Sequence, residues 1–503
     1  MALKKISFTA VLILYLPFSL YAKKSYWKTF IQTAFSNSTQ VSQIKSSYAD
    51  AVINKIQFNY SWLPQIQAEI QTSFTRTNEN AINIINQESD SSPAIIIQPF
   101  TSLSINQKLP GNGNLSVSAA YGFNYVTKRN VYLQNPYIQL SLSQSLGKGT
   151  FGIAGNPENK YIKEQFYYYK ALFEKQMSSE FYNIIKAVKN ADELIYEEQY
   201  YEALLRQYES QKQTSEQKNR NGLQSELETF YAEHQYYETL NKIQEVKYQK
   251  ENAQKQLILL FPDYSHEELK SHKHELKNEI DNLFMKFTDI NYGENIKLNL
   301  DSSIYSRILN VYLYQFQLTE INYAPVLYFT SSAQINSSLN YQYSDFYKSF
   351  RIMKELENPF NLSFSVGFVK NFELPKAKRL RKSIYEIQKE AIKYELEVNK
   401  KTQEKEFLLL LERIKTGTEY LEKLEKEIIT EQDFRNKRLE LFNRNLITQD
   451  EYHKGETLYY LIYKNYINTF WNIICDEISV INLCSIDALL INTFLGENYE
   501  SVY

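Results

Sequence analysis

The sequence predicts a mixed α and β chain built as a tandem repeat of about 220 residues, each repeat carrying β-strands followed by a very long helical hairpin. Three observations predict it. Asn135-Pro-Tyr-Ile-Gln-Leu-Ser-Leu-Ser returns as Asn358-Pro-Phe-Asn-Leu-Ser-Phe-Ser. Gly222-Leu-Gln-Ser-Glu-Leu-Glu, followed by Ala232-Glu233 and Tyr236-Tyr237, returns as Asn445-Leu-Ile-Thr-Gln-Asp-Glu, followed by Gly455-Glu456 and Tyr459-Tyr460. Both patterns share one offset of about 223 residues, and two unrelated patterns at one offset mean duplication. The second observation is the spacing of proline and glycine, and the third is strict two-residue alternation between the helical tracts.

The chain divides accordingly. Residues 1–22 form a signal peptide and 23–261 the first repeat, with strands over about 64–146 and a helical hairpin over about 158–261. Residues 262–300 are a connector. Residues 301–484 form the second repeat, with strands over about 326–370 and a hairpin over about 376–484, and 485–503 are a C-terminal tail. The signal peptide rests on Lys4-Lys5, an apolar run from Ile6 to Leu20 and a small-residue cleavage site at Leu20-Tyr21-Ala22. That run is shorter than the ~20 residues a membrane-spanning helix needs, and no later segment is long and apolar enough.

The helical hairpins follow from what is missing. Between Pro157 and Pro262 the only glycine is Gly222, and after Pro375 there is no further proline. Proline breaks a helix interior and glycine weakens it. The first outgoing leg therefore runs for about 64 residues, or roughly 95 Å, and the second for about 69. The turns are placed by Gly222 and Asn445, the residue types that most easily take positive φ at a helix C-terminus. Ser225 and Thr448 follow as N-caps, and Glu228 and Glu451 three residues later complete a capping box at each tip.

In the strand segments Leu115, Val117, Ala119, Tyr121, Phe123 and Tyr125 alternate with small or polar residues, as do Ile138, Leu140 and Leu142. In the second repeat Ile335, Leu339, Tyr341 and Tyr343, and then Leu362, Phe364, Val366 and Phe368, do the same; Ile66, Ala68, Ile70 and Phe74 mark a further strand. Period-two patterning means a sheet with one apolar face. The other face is Ser, Asn and Gln with few charges, as in the wall of an outer-membrane barrel. A soluble sheet fits the strands alone equally well; the signal peptide and the duplication favour the barrel. So few strands cannot close one, so other copies of the chain must complete it. The first repeat has an extra strand pair, around Leu103–Leu109 and Leu115–Tyr125, whose place in the wall or beyond it stays open.

Composition excludes other classes. Lys and Arg number 56 against 58 Asp and Glu, a net charge of −2 that offers no footprint for nucleic acid. No catalytic or cofactor motif is present, so no enzyme activity or cofactor is expected. Cys475 and Cys484 lie about 13 Å apart along a helix, too far to bridge. His266, His272 and His274 beside Glu267 and Glu275 suggest a metal site only if they converge, and a charged connector explains them equally.

Signal peptide, duplicated strands, long helix, turn and shorter returning helix together resemble the TolC family of outer-membrane efflux ducts. The tip motif carries the resemblance: Gly222, Ser225, Glu228, Ala232 and Glu233, echoed by Asn445, Thr448, Glu451, Gly455 and Glu456. So do the passage from strand to helix at Ser-Leu-Ser-Gln144-Ser-Leu and the prolines Pro64 and Pro325 after the shorter upper helices. The resemblance implies a homotrimer with four strands per chain in a shared barrel continuous with a helical periplasmic barrel. It implies partnership with outer-membrane lipid, a periplasmic adaptor protein and an inner-membrane pump, for drug efflux or type I protein secretion. It also makes Glu228 and Glu451 acids of the periplasmic aperture. Lys454 stands where some members carry a second acid, and a Glu451–Lys454 link is expected to help close it. Gly222, Leu223, Asn445 and Leu446 become the turns that dock the adaptor. The competing class is a secreted or surface-anchored coiled-coil structural protein or adhesin.

Overall fold

The computed structural model describes residues 25–77, 94–109, 113–126, 131–134, 137–145, 157–291, 300–335, 337–339, 360–484 and 489–495. The signal peptide and the alternation read at 340–343 lie outside these residues. The chain folds as two compact units, one comprising Met1–Tyr48, Ala171–Ser303 and Leu396–Tyr503, the other Ala49–Lys170 and Ile304–Glu395.

The first unit is helical. It contains α1 (Tyr26–Asn37), the start of α2 (Thr39–Tyr60), most of α3 (Pro157–Arg220), α4 (Glu226–Leu260), α5 (His266–Asn291), most of α7 (Pro375–Asn443), α8 (Gln449–Cys484) and α9 (Leu489–Leu495). The two outgoing legs, α3 and α7, are 64 and 69 residues long. Helices this long are amphipathic only locally, and each stretch buries the face its neighbour covers. Trp27, Phe30, Ile31 and Ala34 recur at helical spacing on α1 and are fully buried. Leu269, Leu276, Ile280 and Leu283 do the same on α5, so the charged connector has an apolar stripe of its own. In the middle of α8, Ile467, Phe470, Trp471, Ile474, Ile478 and Ile481 are all buried, which marks a helix enclosed on several sides. The short α9 docks through Phe494, whose ring lies 5.1 Å from that of Phe181. Cys475 and Cys484 are free thiols, and burial pushes both up to about 11.

A polar node sits inside this apolar packing. Asp192 is fully buried on α3 and accepts a 2.8 Å hydrogen bond from Trp471 Nε1. His266 Nδ1 lies 3.6 Å from its other oxygen. Lys273 is buried over the rings of Tyr196 and Phe470, and burial depresses its pKa. One node thus fastens α5 and α8 to α3.

The second unit is built on an antiparallel sheet with eight strands among the described residues, with a main path β1 (Gln65–Thr77), β2 (Ala94–Leu109), β3 (Gly113–Val126), β5 (Tyr137–Ser145), β6 (Val326–Ile335) and β8 (Phe360–Val369). The short β4 (Val131–Gln134) and β7 (Ser337–Leu339) pair with each other off this path, and β4 also pairs with β3. The extra strand pair of the first repeat therefore joins the sheet as β2 and β3, between β1 and β5. The main path has six strands rather than the four that the resemblance implied. The strand beside β5 is 326–335, earlier than the alternation read from 335 onward. Around the sheet, α6 (Leu300–Ile321) meets α7 through stacked Phe316 and Tyr385, 4.6 Å between centroids, and meets α3 through a 3.0 Å Arg307–Glu164 bridge. Among the described residues no helix is long and apolar enough to cross a membrane.

Two predictions follow from the buried node and the carboxyl beside it. Asp192→Ala leaves the Trp471 N–H buried without its acceptor and removes the buried negative charge that offsets the Lys273 ammonium, and should cost about 3 kcal/mol, with Asp192→Asn milder. Thermal melting of the helical signal in detergent measures both. Burial pushes Glu193 up to about 7, against the opposing pull of Lys189. A carboxyl raised on folding stabilises fully below its unfolded pKa and loses that contribution as pH rises through the folded one. Glu193→Gln should therefore raise the melting midpoint at pH 7.5 and leave it little changed at pH 4.5.

Candidate functional site

Two features stand out as functional, the faces of the sheet and the tips of the hairpins. Register fixes the first. Ile66 pairs with Ile105, Ile105 with Val117, Val117 with Leu140, Leu140 with Ser331 and Ser331 with Phe364. The next row runs Ala68, Leu103, Ala119, Ile138, Ala333 and Leu362. One face is thus apolar across all six strands of the main path. It is open as well: Ile70 is 82% exposed and Phe364 67%. The opposite face reads Gln67, Ser104, Ser118, Gln139, Ser332 and Ser363 along a single row. Hydroxyls bond across it, Ser332 to Ser363 at 2.5 Å and Ser116 to Ser141. The wall is therefore rich in hydroxyls and amides on one side, where Glu69 and Lys108 are the charges among the described strands, and mainly apolar on the other.

The tips repeat one construction. Gly222 and Asn445 have φ of 70° and 54°, and Asn445 is the one non-glycine residue with positive φ among the described residues. Leu223 N–H donates to Lys218 O at 2.8 Å and Leu446 N–H to Leu441 O at 2.9 Å, which satisfies the carbonyls left by the outgoing helices. Glu228 Oε2 accepts from Ser225 N and Oγ at 3.1 and 3.0 Å, and Glu451 Oε2 from Thr448 N and Oγ1 at 2.9 and 3.0 Å. The backbone N–H bond from Thr448 holds Glu451 below the usual carboxylate range. Both glutamates are exposed and act as caps in their own hairpins. The expected Glu451–Lys454 link does not form. Lys454 pairs with Asp450 at 2.7 Å, because a lysine reaches an acid one full turn back while Glu451 is turned toward its cap. Leu223 and Leu446 project from the turns, 76% and 66% exposed.

The sequence reading missed the lock just inside each tip. Lys212 lies 3.3 Å from Glu233 and over the rings of Tyr236 and Tyr237. Arg435 makes a two-bond fork to Glu456 at 2.6 and 3.0 Å and lies over Tyr459 and Tyr460. Cation, acid and both tyrosines recur at the offset already seen in the sequence. Extending that offset back into the outgoing helices would have found Lys212 and Arg435. Gly455 lies beside the second lock, where a Cβ would collide with the side chain of Arg438, itself paired with Glu431. The two tips differ on their outer faces. Leu227, Phe230 and Tyr231 form an exposed apolar stripe on α4, whereas the corresponding stretch of α8 carries the Asp450–Lys454 ion pair. The connector histidines do not converge: His266 faces Asp192, His272 lies 2.9 Å from Glu275, and His274 packs edge-on to Phe470.

No protein-family model and no curated protein matches the sequence. Solved structures do match. The CmeC outer-membrane channel of Campylobacter jejuni superposes with a TM-score of 0.58 at 13% identity, over 94% of this chain and 89% of that one. The outer-membrane protein VceC of Vibrio cholerae gives 0.55 at 8% identity, over 91% and 95%. The outer-membrane channel OprN gives 0.54 at 8%, over 92% and 90%. A mostly helical chain with one antiparallel sheet that superposes on these proteins over nine-tenths of its length has an outer-membrane-channel fold. It is the TolC-like fold.

The locks make a test of tip rigidity. Arg435→Ala should leave the buried Glu456 unpaired and cost about 2–4 kcal/mol locally, read as faster amide exchange over residues 435–460 with exchange around Asp192 unchanged. Arg435→Lys should restore part of the protection, since it keeps the charge and loses the fork.

Proposed function

We propose that the chain is the outer-membrane duct of a tripartite export machine, a homotrimer whose sheets together wall a lipid-embedded barrel and whose hairpins reach into the periplasm. The two-faced sheet carries this reading. An apolar face that wide exposed to water is an association hazard, whereas against lipid it is the expected outer surface of a barrel, with the Ser, Gln, Asn and Thr face lining an aqueous path. The shared fold with outer-membrane channels supports it. The adhesin alternative explains long helices but gives no reason for a bilayer-facing sheet. Cargo is small toxic molecules or a secreted polypeptide, and the pore discriminates little by charge along its wall.

On this reading the hairpin tips meet a periplasmic adaptor, which in turn engages an inner-membrane pump. Leu223 and Leu446 supply apolar contacts at the turns. Glu228 and Glu451 bring six carboxylates toward one axis in a trimer, with Lys454 beside them, so the entrance favours cations. Their capping role and this one are compatible, because a capping carboxylate keeps its charge.

Purified protein reconstituted into planar bilayers should conduct, with a cation preference that falls in the Glu228→Gln, Glu451→Gln double variant. Assemblies that never conduct, even with both tip locks removed, would contradict the duct. Leu223→Asp with Leu446→Asp should abolish capture of the adaptor by periplasmic cross-linking while the assembly still forms.

A further inference from the structure

The sheet also specifies how it closes. Its main path runs through six strands, every neighbouring pair antiparallel. Six is even, so β8 of one copy laid beside β1 of the next is antiparallel too, and the alternation of faces can continue without a break. Both edges show the apolar phase fully: Ile66 and Phe74 are 71% exposed on β1, Val366 71% and Phe368 59% on β8. No described strand covers the outer edge of either, and an unpaired edge is not tolerated in hydrocarbon.

Resting on the duct reading, we infer that three copies close an 18-stranded barrel, wider than the 12-stranded one the resemblance implied, with Ser365 of each copy opposite Gln71 or Ser73 of the next. The register follows from two constraints. A line perpendicular to the strands leads from Gln65 through Asn106, Ser116, Ser141 and Thr330 to Ser365. Ser365 lies on the polar face, so its partner on the next β1 must be odd-numbered, like Gln65 and Gln67. The distance of that partner from Gln65 then sets the shear, which determines strand tilt. Tilts of about 35–45°, with a rise of ~3.3 Å and a spacing of ~4.8 Å, require a shear of roughly 18 to 26 for 18 strands. That is about six or eight residues per copy, which selects Gln71 or Ser73 and excludes Gln67. The Gln71 register keeps the whole of β8, Phe360–Val369, paired within Gln65–Thr77. The resulting wall has a backbone radius of roughly 17 Å, against roughly 11 Å for 12 strands at the same tilt. A lumen of that width, lined by hydroxyls and amides, admits hydrated cargo thicker than a single α-helix, whose diameter is about 10–12 Å.

Cysteine pairs test the register. Ser365→Cys is combined in separate variants with Gln71→Cys, Ser73→Cys or Gln67→Cys and oxidised in native membranes. A disulfide-linked ladder ending at the trimer is expected for the Gln71 or the Ser73 pair, with none for Gln67 or for any single substitution. A ladder for Gln67 alone, or none in assemblies that are intact, overturns the register. A strand count on electron-microscopic maps of the unsubstituted, detergent-extracted protein decides the number independently of how the variants fold. Eighteen strands support the inference; a twelve-stranded ring with β2 and β3 outside it, or a two-copy ring, overturns it and leaves the duct standing. A folded single chain would overturn the duct reading itself.

Discussion

The backbone of a sheet edge must find hydrogen-bond partners, and much of this molecule answers to that demand. Among the described residues the second unit joins six strands into one surface, apolar on one side and hydroxyl- and amide-rich on the other, and stops at β1 and β8 with no further strand on either edge. In water such edges template aggregation, and in lipid they are untenable. Neither solvent suits an isolated copy, so the sheet reads as one arc of a closed wall. The even strand number and the shared phase of Ile66 and Phe364 make that closure geometrically simple.

The helical unit solves a different problem. Legs of 64 and 69 residues cannot be stabilised by local propensity alone, so they need cross-braces along their length. Asp192 supplies one, buried among apolar side chains and bonded to Trp471 Nε1. The tip locks at Lys212–Glu233 and Arg435–Glu456 supply two more, each backed by a pair of tyrosine rings. Trp471 depends on Asp192 in particular, because without that carboxylate its indole N–H would be buried and unsatisfied. The locks use the same construction twice, yet the outer surfaces beside them diverged to an apolar stripe on one hairpin and an ion pair on the other.

The helices were legible because proline and glycine are excluded from their interiors for simple steric and entropic reasons, and the single residues that interrupt the tracts, Gly222 and Asn445, took positive φ. The strands were legible as alternation, but their number was not. Alternation at Leu115–Tyr125 announces a strand without saying what lies beside it, and only pairing with both β2 and β5 shows that it is part of the wall. Ser331 on the apolar face, and the phase of β6 as a whole, were likewise hidden by weak patterning. At the tips, Glu451 was read correctly as a cap and wrongly as the partner of Lys454, since sequence spacing allows either acid at positions 450 and 451 and only the side-chain direction decides. Asp192 carried no signal at all, because a buried acid within a charged helix looks like any solvated one.

The central claim is that a single copy is incomplete and that closure by identical copies makes the wall. Native mass measurement of the folded protein extracted from outer membranes in mild detergent tests this most directly. The expected result is one dominant species at three times the mass of the processed chain, persisting on dilution. A folded, protease-resistant species at the mass of one chain, with its β-signal intact, would contradict it.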